Sequence, residues 1–542
     1  MAEITRAETW EAVRAAHRWD IPGDFSMAWT CCDRWAETEP DRLALIHVAD
    51  PVREYTFSDL KRLSSQLANV LVTHGIGRGD RVGCLLPQVP ETVLAHLACY
   101  RIGAILMPLF TLFGEDALSY RLSDSGAKAV ITDAANLPKV DAIRADLPDL
   151  EFVWSVDGRG DGAASMPEAM AAVSDQCARV ALTPEDPAFL CYTSGTTGPP
   201  KGALLPHRVV LGHVPATQIV QDFYPQPGDR IWTPSDWAWL GGLGNILLPA
   251  LYLGMPVVAH RAEKFDPEEA FALMQTHRVT NAFLAPTALK LMRQMDNPRR
   301  FDLALRSVGS GGESLGAAIL DWGHDAFGFT INEFYGQTEC NPVLGCNANI
   351  LPVRPGSTGK AIPGKHVGIL GPDGSILPPG QAGEIAVRRG DPSMFLRYWN
   401  NPEKTAEKFI VAEDGHEYLL TGDEGETDAD GYFWFASRTD DVITSSGYRI
   451  GPSEIEDCLN RHPAVAMSAV VGIPDPVRTE IVKAFVVLAG GHNGSPELAD
   501  ELKAHVRARL SPHVMPRLVD WIDQLPMTAT GKIMRRDLRA KE

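Results

Sequence analysis

One loop combines glycine, hydroxyl and lysine residues between two apolar runs. Residues 191–202 read Cys-Tyr-Thr-Ser-Gly-Thr-Thr-Gly-Pro-Pro-Lys-Gly, and the flanking residues 188–192 and 203–205 are apolar enough to be buried strands. Glycines let backbone N–H groups turn towards a shared anion, hydroxyl groups add donors, and a lysine adds positive charge. The pattern predicts a phosphate-binding loop that contains Thr193, Ser194, Gly195, Thr196, Thr197, Gly198 and Lys201.

This loop differs from the common nucleoside-triphosphatase loop, which needs Gly directly before its lysine and Ser or Thr directly after it. Lys201 stands between Pro200 and Gly202 instead. A flexible surface turn is the alternative interpretation, because turns favour the same residue types. The Pro-Pro-Lys-Gly ending favours the phosphate-binding loop.

The overall composition excludes several classes of protein. A chain of 542 residues is too long for one core and predicts at least two domains. Its net charge of −19, from 50 basic and 69 acidic residues, argues against a nucleic-acid partner. An anionic ligand would therefore need a local concentration of Lys and Arg.

The cysteines and the apolar stretches indicate the compartment. Nine cysteines without a Cys-x-x-Cys pair indicate neither a zinc ribbon nor a disulfide framework, and the odd number fits a reducing cytoplasm. Residues 1–20 show no signal-peptide pattern. The most apolar stretch, 244–258, is interrupted by prolines and is shorter than the ~20 residues of a membrane span. We expect a cytoplasmic protein without an integral membrane segment.

Alternating helix and strand patterns must position the loop. Residues 58–75 predict an amphipathic helix capped by Ser58, and strand, helix and strand patterns follow it. Residues 155–186 predict a variable surface connection. After Pro355, short strands and turns predict a β-rich subdomain, and residues 439–542 predict a unit that could fold alone.

Five further short segments resemble those of enzymes that use ATP to activate a carboxylic acid. A carboxylate is a poor electrophile, and ATP overcomes this by forming an acyl-adenylate and releasing pyrophosphate. Such a site needs a triphosphate grip, a metal ligand, a ribose clamp, an adenine slot and positive charge at the α-phosphorus. The candidate segments besides the loop are 312–314, 335–339, 421–423, 438–456 and 530–533. Each short segment alone is also compatible with an ordinary turn or a solvated side chain.

Taken in this order, the segments resemble the signatures of the adenylate-forming superfamily, which includes acyl-CoA synthetases, luciferases and peptide-synthetase adenylation domains. Gly312-Glu313-Ser314 resembles the turn that lines adenine, and Tyr335-Gly336-Gln337-Thr338-Glu339 resembles the second signature. Thr421-Gly422-Asp423 resembles the ribose clamp, and Thr530-Gly531-Lys532-Ile533 resembles the C-terminal signature. The resemblance covers nearly the whole chain, and within the superfamily the sequence most resembles medium-chain and aryl acyl-CoA ligases.

The resemblance implies roles for the matched residues. Glu339 would bind Mg²⁺, and Thr338 would contact the α-phosphate. Asp423 and Arg438 would contact the ribose, and Lys532 would bridge the carboxylate and the α-phosphate. The implied catalytic residues are Lys532, Thr338, Glu339 and Lys201. The implied cofactor-binding residues are those of the phosphate-binding loop together with Gly312, Glu313, Ser314, Tyr335, Gly336, Gln337, Thr338, Asp423, Arg438, Gly447 and Lys532.

The same resemblance implies an α/β fold with two domains. Residues 1–437 would form a large N-terminal domain of layered α/β subdomains plus a β-rich subdomain. Residues 438–441 would form a hinge at Asp440, and residues 442–542 a small mobile α+β domain. This domain would rotate between adenylation, with Lys532 in the site, and thiol attack, with Gly447 beside the pantetheine arm.

The implied reaction is ATP-dependent activation of a carboxylic acid followed by thioester formation with coenzyme A. Acetate-specific relatives carry Trp before Gln-Thr-Glu, whereas this chain has Gly336. We therefore expect a short- or medium-chain, branched or ring-bearing acid larger than acetate, with each buried CH₂ contributing roughly 0.8 kcal/mol. The predicted pocket walls are His207 near the mouth, Trp237, Trp239, Gly242, Gly311, Gly336, Cys340 and Val343.

Two other functions stay open from the sequence. A freestanding enzyme that adenylates an amino acid or an aryl acid fits the same signatures, and so does a catalytically silent ATP-binding relative. The complete set Lys201, Glu339, Asp423, Arg438 and Lys532 favours an active enzyme. A lysine acetyltransferase acting on Lys532 is a further expected partner, because acetylation would remove an essential charge. The sequence leaves the oligomeric state open.

Overall fold

The computed structural model describes residues 3–160, 162–193, 199–262, 264–313, 315–438, 441, 443–445, 448–475, 478–509, 514–528 and 532–540. No helix in these ranges is long and apolar enough to cross a membrane. Helices and strands alternate through most of the chain, as the sequence predicts.

The elements that precede and include the phosphate-binding hairpin lie between residues 10 and 206. The helices are α1 (Trp10–Ala16), α2 (Arg34–Thr38), α3 (Phe57–Thr73), α4 (Pro90–Ile102), α5 (Glu115–Ser125), α6 (Leu137–Ile143) and α7 (Met166–Ala171). The strands are β1 (Leu43–His47), β2 (Arg53–Thr56), β3 (Arg81–Leu85), β4 (Ile105–Pro108), β5 (Ala129–Thr132), β6 (Phe152–Ser155), β7 (Ala164–Ser165), β8 (Pro187–Thr193) and β9 (Lys201–Pro206).

The middle of the chain continues the alternation and then becomes rich in strands. The helices are α8 (Val209–Val220), α9 (Leu240–Gly242), α10 (Leu248–Tyr252), α11 (Pro267–Thr276), α12 (Pro286–Arg293), α13 (Ala317–Phe327) and α14 (Pro402–Ala406). The strands are β10 (Ile231–Trp232), β11 (Val257–Ala259), β12 (Asn281–Phe283), β13 (Ser307–Gly311), β14 (Asn332–Gln337), β15 (Cys340–Gly345), β16 (Ser357–Ala361), β17 (Val367–Leu370), β18 (Gly383–Arg388), β19 (Arg397–Tyr398), β20 (Phe409–Val411), β21 (Glu417–Thr427) and β22 (Phe433–Arg438).

The C-terminal region is a smaller α+β unit. Its strands are β23 (Ile443–Ser445), β24 (Tyr448–Ile450), β25 (Val465–Asp475), β26 (Thr479–Leu488) and β27 (Leu518–Trp521), and its helices are α15 (Pro452–Asn460), α16 (Pro496–Arg509) and α17 (Arg535–Arg539). The described strands of this unit form a sheet of their own, in which β25 and β26 are antiparallel. Leu502 and Val506 of α16 are buried, as its apolar spacing predicts.

Two sheets of the larger region carry the site. In one, β1, β11, β10, β12, β13 and β14 run parallel, and β15, β16 and the later strands continue it antiparallel. In the other, β8 pairs parallel with β4, while β9 is antiparallel to β8 and to β19. The carboxyl ends of parallel strands, where α/β proteins bind ligands, therefore include the ends of β12, β13 and β14.

Helices α4 and α8 are buried along their whole length. Helix α8 packs on β13, β14 and β15, and α4 packs on β3, β4 and α3. A helix that is apolar on all sides must lie between layers rather than on a surface. Packing of α8 therefore supports β13, β14 and β15 on one face of their sheet.

Two predictions about elements need correction. The cap of α3 is Thr56 rather than Ser58, because Thr56 accepts a hydrogen bond from the Asp59 N–H and the Asp59 carboxylate accepts one from the Thr56 N–H. The connection at 155–186 contains β7 and α7, since Ser165 caps a short helix with proline near its start.

A buried ion pair ties α4 to the N-terminal segment. The guanidinium of Arg101 donates to both carboxylate oxygens of Asp33 at 2.6 Å, and the two side chains are 2% and 5% exposed. Such a pair is costly to break because removing one partner leaves an uncompensated buried charge.

Arg101→Ala should lower the free energy of unfolding by about 3–5 kcal/mol, because it leaves the Asp33 carboxylate buried without its partner. Urea titration followed by tryptophan fluorescence measures the change. Arg159→Ala is the matched control, since Arg159 binds Glu168 with its side chain 79% exposed. The control should change stability by less than about 1 kcal/mol. Equal shifts in the two variants would contradict the assigned importance of the buried pair.

Candidate active site

The predicted phosphate-binding loop closes the hairpin of β8 and β9. Thr193 lies opposite Lys201 in the antiparallel register, and its hydroxyl donates to the Lys201 carbonyl at 3.3 Å. At the end of the loop, the Tyr120 hydroxyl donates to the Pro200 carbonyl at 3.0 Å. Ser194, Gly195, Thr196, Thr197 and Gly198 lie outside the described residues. The hairpin brings Thr193 and Lys201 together, as a loop gripping one anion requires.

Thr338 and Glu339 form the turn of the hairpin between β14 and β15, because Gln337 pairs with Cys340. Glu339 is only 8% exposed. Its carbonyl accepts a hydrogen bond from the Phe395 N–H at 2.8 Å, and its Oε1 accepts one from the Tyr398 hydroxyl at 2.5 Å. The carboxylate is therefore held in place by the segment around β19.

Asp423 is joined to β14 by two side chains. The Tyr335 hydroxyl donates to Asp423 Oδ2, and Gln337 Nε2 donates to the same oxygen at 2.6 Å and to the Thr421 carbonyl at 2.8 Å. Arg438 lies opposite Asp423 in the register of β21 and β22. Tyr335 and Gln337, from one predicted nucleotide-binding segment, thus bind the carboxylate of Asp423 from another.

Close backbone approach explains several of the glycines. A Cβ on Gly336 would lie 2.9 Å from both the Asn341 Cα and the Pro342 Cα, and one on Gly311 would lie 2.6 Å from the Phe334 carbonyl oxygen. Gly312 has a φ of +101°, which favours glycine. Its neighbour Ser314 lies outside the described residues.

The structure does not bring all of the predicted pocket residues together. Trp239 packs against Phe110 and Phe113 with ring centroids 5.5 and 5.9 Å apart. Trp237, Cys340, Val343 and Gly242 are buried. The structure places His207 in the core rather than near a mouth: its Nδ1 accepts from the Met27 N–H at 3.2 Å, and its ring meets Tyr100 edge-on.

A small empty volume of about 10 Å³, room for roughly one water molecule, lies between α8 and residues of β12, β14 and β15. It is lined by Ala216, Thr217, Val220, Gln221, Asn245, Ile246, Phe283, Phe334 and Pro342. None of the predicted walls is among these described residues, although Phe334 and Pro342 adjoin the signature at 335–339. Sequence reasoning missed them because it considered only residues next to motifs. Helix α8 is buried on all sides, so no spacing in its sequence marks the side that lines this volume.

Comparison with known proteins decides the family. The model of the AMP-binding enzyme family matches residues 32–399, and that of the AMP-binding enzyme C-terminal domain matches residues 454–532. This chain belongs to the AMP-binding enzyme family. The predicted family and the predicted class of enzyme, an AMP-forming acyl-CoA ligase, are confirmed.

The similarity of this AMP-binding enzyme to its relatives extends over the full length. It is 35% identical to an acetyl-coenzyme A synthetase of Bacillus subtilis over 100% of this chain and 94% of the relative. It is 37% identical to the human mitochondrial acyl-coenzyme A synthetase ACSM4 over 98% and 93%. The crystal structure of the anthranilate CoA ligase AuaEII in complex with anthranoyl-AMP has a TM-score of 0.89 at 28% identity, over 96% and 98% of the chains. The predicted adenylate-forming fold is confirmed.

The C-terminal unit of this AMP-binding enzyme contacts the larger region through α15, which packs on α13 and β22. Lys532 is exposed, and its N–H donates to the Thr528 hydroxyl at 3.0 Å. Burial lowers the pKa of Arg535, but the carboxylates of Glu456, Asp441 and Glu313 outweigh it and raise the pKa above the usual value. The charge of Glu313, beside the adenine-lining turn, thus reaches the segment that carries Lys532. Asp440, Gly447, Thr530 and Gly531 lie outside the described residues.

A neutral polar network lies behind the empty volume. Asn245 Oδ1 accepts from Asn341 Nδ2 at 2.7 Å and lies 2.9 Å from His213 Nδ1. Burial lowers the pKa of His213 to about 3, with the charge of Lys365 as a smaller cause. His213 is therefore neutral at physiological pH. The network holds β15 against α8 without adding a charge to the cavity.

Glu333, on β14 ahead of the signature, is a buried carboxyl near the C-terminal unit. Burial and the charge of Asp457 on α15 raise the pKa of Glu333 to about 8, against an opposing hydrogen bond from the Leu315 backbone. Asp457 is close to this region, because a Cβ on Gly316 would lie 2.8 Å from its Oδ1. The folded protein therefore keeps a proton that the unfolded chain releases near its ordinary pKa of 4.5.

The contribution of Glu333 to the free energy of unfolding should fall as the pH rises between about 5 and 8, because its folded carboxyl keeps a proton that the unfolded chain loses in this window. Glu333 contributes at most about 1.4 kcal/mol per pH unit. In Glu333→Gln this part of the slope should disappear, as measured by urea titrations at several pH values. Glu426→Gln, an exposed position on β21, is the control. An unchanged slope in Glu333→Gln would show that Glu333 does not titrate as described.

Proposed function

We propose that this enzyme activates a carboxylic acid larger than acetate in two steps. A carboxylate oxygen attacks the α-phosphorus of ATP, and the bond from that phosphorus to pyrophosphate breaks. The sulfur of coenzyme A, having lost its proton, then attacks the acyl carbon, and the carbon–oxygen bond to AMP breaks. The observation that carries the proposal is the meeting of three hairpins: Tyr398 contacts both Lys201 and Glu339, while Gln337 binds Asp423.

The nucleotide would lie along these hairpins. Lys201 and the loop before it would hold the terminal phosphates, and Thr338 would contact the α-phosphate. The Asp423 carboxylate would accept hydrogen bonds from the ribose hydroxyls, a geometry that one carboxylate satisfies well. Asp423 supports this role because Tyr335 and Gln337 already hold its Oδ2. Arg438 would contact the ribose from the neighbouring strand, and the turn at 312–314 would line the adenine.

The residues present fit a Mg²⁺ ion that is bound mainly by substrate. No cluster of three or more metal-ligating side chains occurs among the described residues, which is typical of a site where Mg²⁺ keeps waters and takes phosphate oxygens. Glu339 supplies one hard oxygen ligand, held by Tyr398. A bound Mg²⁺ would neutralise charge on the phosphate oxygens.

Movement of the C-terminal unit would separate the two steps. We divide the chain at a hinge of residues 438–441, with the mobile domain at 442–542. Lys532 is exposed and lies on the same segment as Arg535, whose charge interacts with Glu313 of the larger region. Lys532 would neutralise charge at the α-phosphorus in the first step, and Gly447 would lie beside the pantetheine arm in the second.

Lys532→Ala should reduce acyl-adenylate formation by roughly 10²–10³-fold, because one preorganised electrostatic contact is lost from the transition state. Conversion of supplied acyl-adenylate and coenzyme A to thioester should continue at the wild-type rate. Rapid-quench assays of each half-reaction measure both. Arg536→Ala, whose side chain is 75% exposed in the same C-terminal segment, is the control for domain folding. Equal losses in both half-reactions would refute the alternating arrangement.

Acetylation of Lys532 is proposed to have the same effect, because it removes the charge from an exposed side chain that an acetyltransferase can reach. Stoichiometrically acetylated enzyme should lose adenylation and keep thioester formation. Full adenylation activity in such a sample would exclude regulation by acetylation.

We propose that the protein works in a reducing compartment, the cytoplasm, because its cysteines are free and all but Cys177 are buried.

The acyl pocket is proposed to extend from Gly336 into the volume lined by Phe283, Phe334 and α8. The aromatic rings of Phe283 and Phe334, which line this volume, suit an apolar chain or ring. In this structure the volume of about 10 Å³ is too small for an acyl chain, so the side chains around it would have to move when the acid binds. A short branched, medium-chain or ring-bearing acid would suit the apolar lining, and the anthranilate ligase among the similar structures supports this choice.

Carboxylate-dependent release of pyrophosphate tests this function. With ATP, Mg²⁺ and coenzyme A, turnover should peak beyond acetate in a series of acetate, butyrate, isobutyrate, hexanoate, octanoate, benzoate and cyclohexanecarboxylate. Phe283→Leu should shift the preference among these acids while leaving the KM for ATP unchanged, since Phe283 lines the volume but not the nucleotide hairpins. A maximum at acetate would contradict the proposed pocket.

A further inference from the structure

The segment 394–399 is bonded through its backbone to both signature hairpins. On one side, the Phe395 N–H donates to the Glu339 carbonyl at 2.8 Å. On the other side, the Leu396 N–H donates to the Leu204 carbonyl at 2.8 Å, and the Trp399 N–H donates to the Gly202 carbonyl at 2.7 Å. These bonds fix the distance between the two hairpins.

Tyr398 lies between the two charged residues of those hairpins. Its side chain is 2% exposed, its hydroxyl donates to Glu339 Oε1 at 2.5 Å, and Lys201 Nζ lies over its ring at 5.1 Å from the centroid. The Tyr398 N–H donates to the Thr405 hydroxyl at 3.0 Å, and its ring packs edge-on against Phe395. The side chain is therefore locked by its own surroundings before any ligand binds.

The two contacts use opposite properties of one phenol. The hydroxyl supplies a donor to a carboxylate, and the negative face of the ring attracts an ammonium group. Lys201 and Glu339 form no ion pair with each other in the structure. A direct ion pair would use the charges that metal-bound nucleotide needs, whereas a tyrosine between them restrains each one separately.

We propose that Tyr398 is a positioning residue that holds Glu339 ready to bind metal and Lys201 ready to bind phosphate, while keeping the two charges from pairing. This inference rests on the proposed function, because it gives Glu339 and Lys201 their ligands. It goes beyond that function because Tyr398 lies outside every segment from which the nucleotide site was assembled.

The two contacts can be removed one at a time. Tyr398→Phe removes the hydroxyl and keeps the ring, so it should weaken binding of ATP in the presence of Mg²⁺ by roughly tenfold, as expected for a hydrogen bond to a charged group. Binding of ATP in EDTA should stay unchanged. Tyr398→Leu removes the ring as well and should also weaken binding in EDTA by several-fold, because Lys201 loses its support.

Isothermal titration calorimetry of ATP into enzyme without acid or coenzyme A measures both quantities. Glu339→Gln gives the full loss of ATP affinity that depends on Mg²⁺, and Lys201→Ala gives the full loss of ATP affinity measured in EDTA. Tyr418→Phe is the matched control, since the Tyr418 hydroxyl also donates to a carboxylate, Asp414, at 2.9 Å on a distant part of β21. The control should bind ATP like the wild type under both conditions.

A double-mutant cycle separates positioning from folding. Tyr398→Phe should have no further effect on Mg²⁺-dependent binding in the Glu339→Gln background, because the proposed role of its hydroxyl is to position that carboxylate. Additive losses in the double variant, or equal losses with Mg²⁺ and with EDTA, would overturn the inference and leave Tyr398 a packing residue.

The failure of the inference differs from the failure of the proposed function. If wild-type enzyme binds ATP equally well with Mg²⁺ and with EDTA, and Glu339→Gln changes nothing, both the inference and the proposed metal-binding role of Glu339 are wrong. If Glu339→Gln removes the metal dependence while Tyr398→Phe binds like the wild type, only the role of Tyr398 is wrong.

Discussion

The site depends on one backbone connection between two sheets. Leu396 and Trp399 bond to β9 in one sheet, and Phe395 bonds to the β14–β15 turn that continues the other. Lys201, the predicted phosphate-binding lysine, and Glu339, the candidate metal ligand, belong to these different sheets. Without this connection, their separation would depend on loop conformation alone, and electrostatic catalysis requires groups that are fixed before the substrate arrives.

Much of the fold could be predicted because local patterns are consistent with the tertiary structure. The apolar run before the phosphate-binding loop is β8, the run after it is β9, and the periodic helix at 58–75 is α3. The signature residues were predicted from resemblance, and the structure brings Gln337 together with Asp423 from segments far apart in sequence. Such pairs are recognisable only as motifs, since no local propensity encodes their contact.

The rest depends on contacts between distant segments. The empty volume is bounded by α8, β12 and β15, so its lining residues are neighbours only after folding. His207 follows a strand next to the phosphate-binding hairpin, yet its ring points into the core because Met27 and Tyr100 pack against it. Tyr398 carries no motif signal in the sequence, because its importance comes from the two charges that the folded chain places on either side.

The close packing at Gly336 has a consequence for the evolution of specificity. Asn341 and Pro342 already occupy the space that a side chain at position 336 would need, with Cα atoms 2.9 Å from the position of its Cβ. Asn341 is in turn bonded to Asn245 behind the cavity. A tryptophan at 336 would therefore need compensating changes in the following strand. In the proposed acyl pocket, the room beside position 336 is set by two adjacent backbones, so acid preference should change by coupled substitutions rather than by a single exchange.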